Sequence, residues 1–88
     1  MFKHYLSLLN ENLNFIKRQL KEDSYLRSHL KFAKNACEIR KYRVVGMLEL
    51  MQEMGEISWK QENEERKKVD ELFRLENLLE EIEKEGKK

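Results

Sequence analysis

The stretch ACEIRKYRVVGML, Ala36 to Leu48, decides how this chain is read. Cys37, Val44 and Met47 continue an apolar stripe that begins at Leu26, Leu30 and Ala33 and runs on through Met51 and Met54. Arg40 falls inside that stripe and Arg43 on its edge. A second apolar set, Tyr25, Phe32, Ile39 and Leu50, lies beside the first when the residues are projected at ~100° each, and together they cover about half the circumference. A helix apolar over such an arc is touched from two sides. The spacing therefore predicts a central helix over 24–54, about 45 Å long, stopped by Gly55 in the left-handed conformation that ends many helices.

Upstream, Phe2, Leu6, Leu9, Leu13, Ile16 and Leu20 step by four and three residues without a miss, the heptad seam of a helix laid on another helix. Tyr5, Leu8 and Phe15 widen that face beyond what a bare two-stranded coil needs. A first helix over 2–22 follows, and Asp23 or Ser24 can cap a new one. A new helix from there is preferred; because no Gly or Pro enforces a break, one continuous kinked helix is the alternative.

Downstream, Ser58 and Gln61 have capping-box spacing, but Lys60 to Lys68 holds no apolar side chain and cannot face a core. Asn63, followed by Glu64 and Glu65 at the positive end of the helix dipole, is preferred as the start. Residues 55–62 are then a linker anchored by Ile57 and Trp59. A last helix runs over 63–85 on Val69, Leu72, Phe73, Leu75, Leu78, Leu79 and Ile82. The expected fold is all-α: long antiparallel helices in a single domain, a three-helix bundle completed by oligomerisation.

Composition agrees. Of 88 residues, 40% are charged and 40% hydrophobic, with three Gly and no Pro. That is too apolar for disorder and lacks the turn residues of an all-β fold. A chain this short buries only ~60–65% of its unfolded surface, which favours pooling surface with a partner. The charge is lopsided: residues 1–48 hold ten Lys/Arg against four Asp/Glu, and residues 49–88 hold eight against thirteen. Pairing of the acidic end with the basic part, in the same chain or a second copy, is the simplest consequence. One cysteine and no secretory signal or membrane-length apolar run predict a soluble, cytoplasmic protein, or a nuclear one in a eukaryote.

Chemistry is thin. Cys37, Ser7, Ser24, Ser28 and Ser58 have no base at motif spacing, and Cys37 in the seam reads as a small hydrophobe. His29 and Cys37 are ~12 Å apart along a helix, too far for one metal ion. The sequence predicts no enzyme, no cofactor, no metal and no small-molecule substrate. Arg27, Lys31, Lys34 and Lys41 form a stripe ~20 Å long that could follow phosphates. Glu38 interrupts it, Glu49 and Glu53 reverse its sign, and Tyr42 is the sole aromatic beside it. Met47, Met51 and Met54 suit a core or a protein-binding groove alike.

A guanidinium left unpaired in an apolar interface costs several kcal/mol, about what a lost buried partner costs, so Arg40 and Arg43 need acceptors. One reading pairs Arg40 across the bundle with Glu71, Glu76 or Glu80 of the last helix, or with Glu11 or Glu22 of the first. The other gives both arginines acidic groups on a partner, where Arg is favoured for its planar fork of donors.

The run LRSHLKFAKNACEIRKYRVVGMLELM, then GEIS, then NEERKKVDELFRLENLLEEI, resembles the helical domain of GINS subunits, the archaeal and eukaryotic replication-fork scaffold. Arg40-Lys41-Tyr42-Arg43 before Val44, Val45, Met47 and Leu48 is similar to that family's basic run before an aliphatic stretch. Asn63 to Phe73 is similar to its acid-started helix with a Leu-Phe pair. The likeness spans residues 2–83; the threonine-proline that often opens the family's last helix is Glu62-Asn63 here. It implies a non-catalytic subunit packed against sister subunits through Arg40, Lys41, Arg43 and the seam of the first helix.

The function expected is thus a helical protein–protein interaction module, in DNA replication if the likeness holds. The partner surface is expected at Leu6, Leu9, Leu13, Ile16, Arg40, Lys41, Arg43, Met47 and Met51. A homo-oligomeric coiled-coil adaptor is the alternative, and a small nucleic-acid-binding protein using Arg27, Lys31, Lys34 and Lys41 a more distant one.

Overall fold

The computed structural model describes residues 2–86, and all its regular elements are helices. In chain order they are α1 (Phe2–Glu22), α2 (Ser24–Ser28), α3 (Leu30–Glu53), α4 (Trp59–Leu72) and α5 (Leu75–Gly86). α3 packs against each of the others. Lys41 meets Asp70 and Glu49 meets Arg66, so α3 and α4 run antiparallel. Lys17 meets Glu81 and Lys21 meets Glu85, so α1 and α5 run parallel. The acidic end of the chain does fold against the basic part. The molecule measures 42 × 28 × 18 Å.

The core gathers Tyr5, Ile16 and Leu20 from α1, Ala33, Cys37, Val44, Leu48 and Met51 from α3, Val69 from α4, and Leu75 and Leu78 from α5. The heptad seam of α1 is only half used. Ile16 and Leu20 are buried and Leu9 and Leu13 half-buried, but Leu6 is 41% exposed. α1 is rotated so that Tyr5 and Asn12 turn inward. Each brings its own hydrogen bond: Tyr5 Oη donates to Glu65 Oε2 at 3.1 Å, and Asn12 Nδ2 donates to the Leu8 carbonyl at 2.7 Å. A buried polar group so satisfied is tolerated.

Three boundaries differ from the sequence expectation. The helix expected over 24–54 is broken at His29 (φ −120°, ψ 81°). Asp23 caps α2, accepting from Leu26 N–H at 3.0 Å. At its other end Ser28 Oγ donates to the Ser24 carbonyl and His29 Nδ1 lies 2.8 Å from the Tyr25 carbonyl. Side chains that occupy backbone carbonyls compete with the helix ladder.

The last helix starts at Trp59, not Asn63, so the linker is shorter than 55–62. Ser58 and Gln61 form a complete capping box. The first turns of α4 need no apolar face because they meet the body through polar side chains. Glu62 is buried and accepts from Arg66 Nη2 at 3.2 Å, and Arg66 also reaches Glu49 at 2.9 Å.

The helix expected over 63–85 is broken at Phe73 and Arg74. In a straight helix Val69 and Leu78 would point about 180° apart, yet both lie in the core. The break turns the second half of the arm back inward, and Asn77 Nδ2 donates to the Glu71 carbonyl across it at 2.8 Å.

Gly55 ends α3 as expected. Its φ is +76°, its N–H donates to the Gln52 carbonyl and the Glu56 N–H to the Met51 carbonyl. That pair of bonds is the Schellman arrangement.

Candidate interaction face

Burying Ala33, Cys37, Val44, Leu48 and Met51 fixes the rotation of α3, and with it what the helix turns outward. The second apolar set points away from the core. Phe32 is 52% exposed, Ile39 59% and Leu50 44%. Single exposed apolar residues are ordinary on any surface, but a row of them along one helix is not.

Phe32 is joined at the α2–α3 break by two more rings. Tyr25 and His29 stack with centroids 3.9 Å apart, and Phe32 lies 6.3 Å from Tyr25 and 6.1 Å from His29. From sequence, Tyr25 and Phe32 belong to the face packed by neighbours, and Tyr42 is the sole aromatic beside the basic stripe. The structure puts three rings in the open beside the exposed Arg27 and Lys31.

Gly46 lies seven residues after Ile39 and four before Leu50, on the same outer face. It is exposed and has ordinary helical φ, and a Cβ built on it meets nothing within 4 Å. Neither packing within the chain nor backbone conformation calls for glycine. In a helix interior it costs about 1 kcal/mol against alanine.

Arg40 and Arg43 border this row. Arg40 stands on the flank of α3 that faces α1, its guanidinium carbon 3.6 Å from the centre of the Phe15 ring and Nη1 donating to Asn12 Oδ1 at 3.4 Å. Burial, and then the like charge of Arg43, lower its pKa from the ordinary arginine value. Among the described residues neither arginine forms an ion pair with a carboxylate. The cross-bundle pairing of Arg40 with Glu71, Glu76 or Glu80 is therefore not made. Asn12 and Phe15 serve instead, and neither carries charge.

The other residues singled out from sequence scatter. Ile16 and Met51 are buried in this chain's core, which leaves them no surface for a partner; Leu9, Leu13 and Met47 are half-buried against it, and Leu6 is open. Arg43 and Leu50 share the outer face. Of the basic stripe, Arg27 lies on α2 beyond the break while Lys31 and Lys34 are exposed on α3. Lys41 turns to Asp70 at 3.5 Å and lies 4.9 Å from the Tyr42 ring centre.

A cleft of about 720 Å³ opens between α3 and the α4–α5 corner, lined by Lys34, Cys37, Lys41, Asp70, Arg74 and Glu76 among others. Its thiol is pushed up to about 11, by burial first and then by the carboxylate of Glu76. A thiol so held is protonated near neutrality and a poor nucleophile. Among the described residues no three His, Cys, Asp or Glu side chains converge as metal ligands, and no helix is long and apolar enough to cross a membrane. Compared with family models, curated proteins and solved structures, the chain matches none.

Proposed function

We propose that this chain is a non-enzymatic protein–protein interaction module that presents the outer face of α3 to another chain, which completes its helical bundle. The observation that carries this reading is the open row of Phe32, Ile39, Gly46 and Leu50. Large apolar groups exposed at helical spacing, with a glycine among them that the fold does not use, are what a docked helix requires. Arg40 and Arg43 on the border supply donors to acceptors that the fold itself leaves unfilled. In its sharpest form, resting on the likeness of residues 2–83 to the helical domain of GINS subunits, the partners are sister subunits of a replication scaffold.

A photo-crosslinking residue at Ile39, with Glu64 as the control position, tests this in the source cell. Adducts from position 39 that are protein by mass, and absent from position 64, are the expected result. No adduct, or one removed by nuclease, overturns the reading; the nuclease-sensitive outcome would shift the function to the rings at Tyr25, His29 and Phe32.

A further inference from the structure

Resting on the reading of α3 as the docking face, we infer that its occupant is a second copy of this chain, crossing antiparallel to the first at Gly46. Before Gly46, α3 carries Lys31, Lys34, Arg40, Lys41 and Arg43 against Glu38; after it come Glu49 and Glu53 and no basic residue. Sign changes between Arg43 and Glu49, and Gly46 stands midway between them.

A two-fold interface is self-complementary: whatever one copy offers on one side of the axis, the other must accept there. A helix basic in one half and acidic in the other meets that condition only when antiparallel, with the axis at the point where the sign changes. A parallel pairing would set Arg43 against Arg43 and Glu49 against Glu49.

Steric fit selects the same point. Two helices approach most closely where they cross, and the separation there depends on the side chains at the contact. The outer face of α3 has its one missing side chain at Gly46, in open space. On either side of that crossing Ile39 of one copy comes toward Leu50 of the other, so the part of the apolar row from Ile39 to Leu50 closes on itself. Arg43 comes toward Glu49 and Glu53 of the second copy, the carboxylates that the fold does not provide. Glu49 already holds Arg66 at 2.9 Å; Glu53, one turn on, is exposed. With the axis at Gly46, α3 faces α3 from Ile39 to Glu53, about 21 Å along the helix at ~1.5 Å per residue.

The test is the molar mass of the purified full-length chain over a concentration series, by light scattering or sedimentation, at low and moderate salt. The mass is expected to rise from 10.8 kDa toward twice that value as concentration rises. Gly46→Gln puts a good helix former in open space, so the dilute monomer should melt no lower than the parent. Its dimer should dissociate at least about tenfold more readily, as expected for truncating or blocking a central contact. Arg43→Glu and Glu53→Arg should each weaken the dimer, and the double variant should regain it, because antiparallel pairing restores opposite charges at both ends.

A chain monomeric at every concentration overturns the inference, and so does a dimer indifferent to Gly46→Gln and to the charge exchange. If the pure chain is monomeric while position 39 still yields protein adducts in cells, the second copy is ruled out and the docking face stands. If both fail, the reading of the face falls with it.

Discussion

Arg40 rests its guanidinium on the Phe15 ring and directs one N–H at the Asn12 amide oxygen. Replacing a partly buried charge by an apolar side chain of similar length is often neutral or better when no counter-charge is left behind. Arg40→Met is therefore expected to move unfolding stability by less than about 1 kcal/mol, read as the urea midpoint at unchanged slope. A loss of several kcal/mol would mean that a carboxylate does hold this residue. The sequence showed that Arg40 lay in an apolar stripe and needed an acceptor, but not which one. Lys41, one residue and ~100° of helix further on, faces the acidic α4 arm and takes Asp70, while Arg40 faces α1. Asn12 could not have been picked from pattern alone, because a buried amide that donates to a carbonyl of its own helix leaves no trace in hydrophobic periodicity. Cys37 was read as a small hydrophobe, and it is buried. Its raised pKa has a consequence with a definite sign. The unfolded thiol ionises from about 9 and the folded one about 11, so the unfolded state holds fewer protons in between and stability falls as pH rises through that window. The Tyr5 phenol, raised by burial and by Glu65, acts in the same direction. Thermal melts at pH 8, 9.5 and 10.5 should show a progressive loss that Cys37→Ala diminishes in steepness.

Among the elements, two glycines of α3 and its end separate conformation from packing. Gly55 has φ +76° and open space at its Cβ position, so Gly55→Ala should cost the left-handed penalty, about 1–2 kcal/mol. Gly46 has ordinary helical φ and equally open space, so Gly46→Ala should stabilise the dilute monomer by about 1 kcal/mol. Thermal denaturation at a concentration below association reads both. If Gly46→Ala destabilises that monomer, the glycine has a role inside the chain and is not kept open for a docked helix. Ser58→Ala removes the capping box of α4 and should cost about 1 kcal/mol; a cost near zero would place the working start of that helix at Asn63, as its polar composition suggested. That start is hard to read from sequence because polarity suggests no contact with the body, whereas Arg66 reaches Glu49 of α3 and Glu65 accepts from the Tyr5 hydroxyl of α1. The break at Phe73 has a signal in the sequence: Val69 and Leu78 cannot share one face of a straight helix. The break at His29 had none of the usual marks, since it is made by hydroxyl and imidazole contacts to backbone carbonyls.

For the molecule as a whole, helical class, the central position of α3 and the folding of acidic on basic segments were all legible, because periodicity and charge report directly on which faces meet. Which of α3's two apolar sets faces inward was not legible. Both have helical spacing, and only the volume and rotation of α1, α4 and α5 decide that Val44 and Leu48 go in while Phe32, Ile39 and Leu50 stay out. If the proposed function holds, this outer face is covered when the protein works. Hydroxyl-radical footprinting tests it, comparing the dilute purified chain with the same chain inside its source cell. Trp59 is 68% exposed and off α3, and serves as the internal reference. Phe32, Ile39 and Leu50 should be oxidised in dilute solution and protected in the cell, with Trp59 labelled in both. Equal labelling of the α3 face in the two settings would contradict the proposed function.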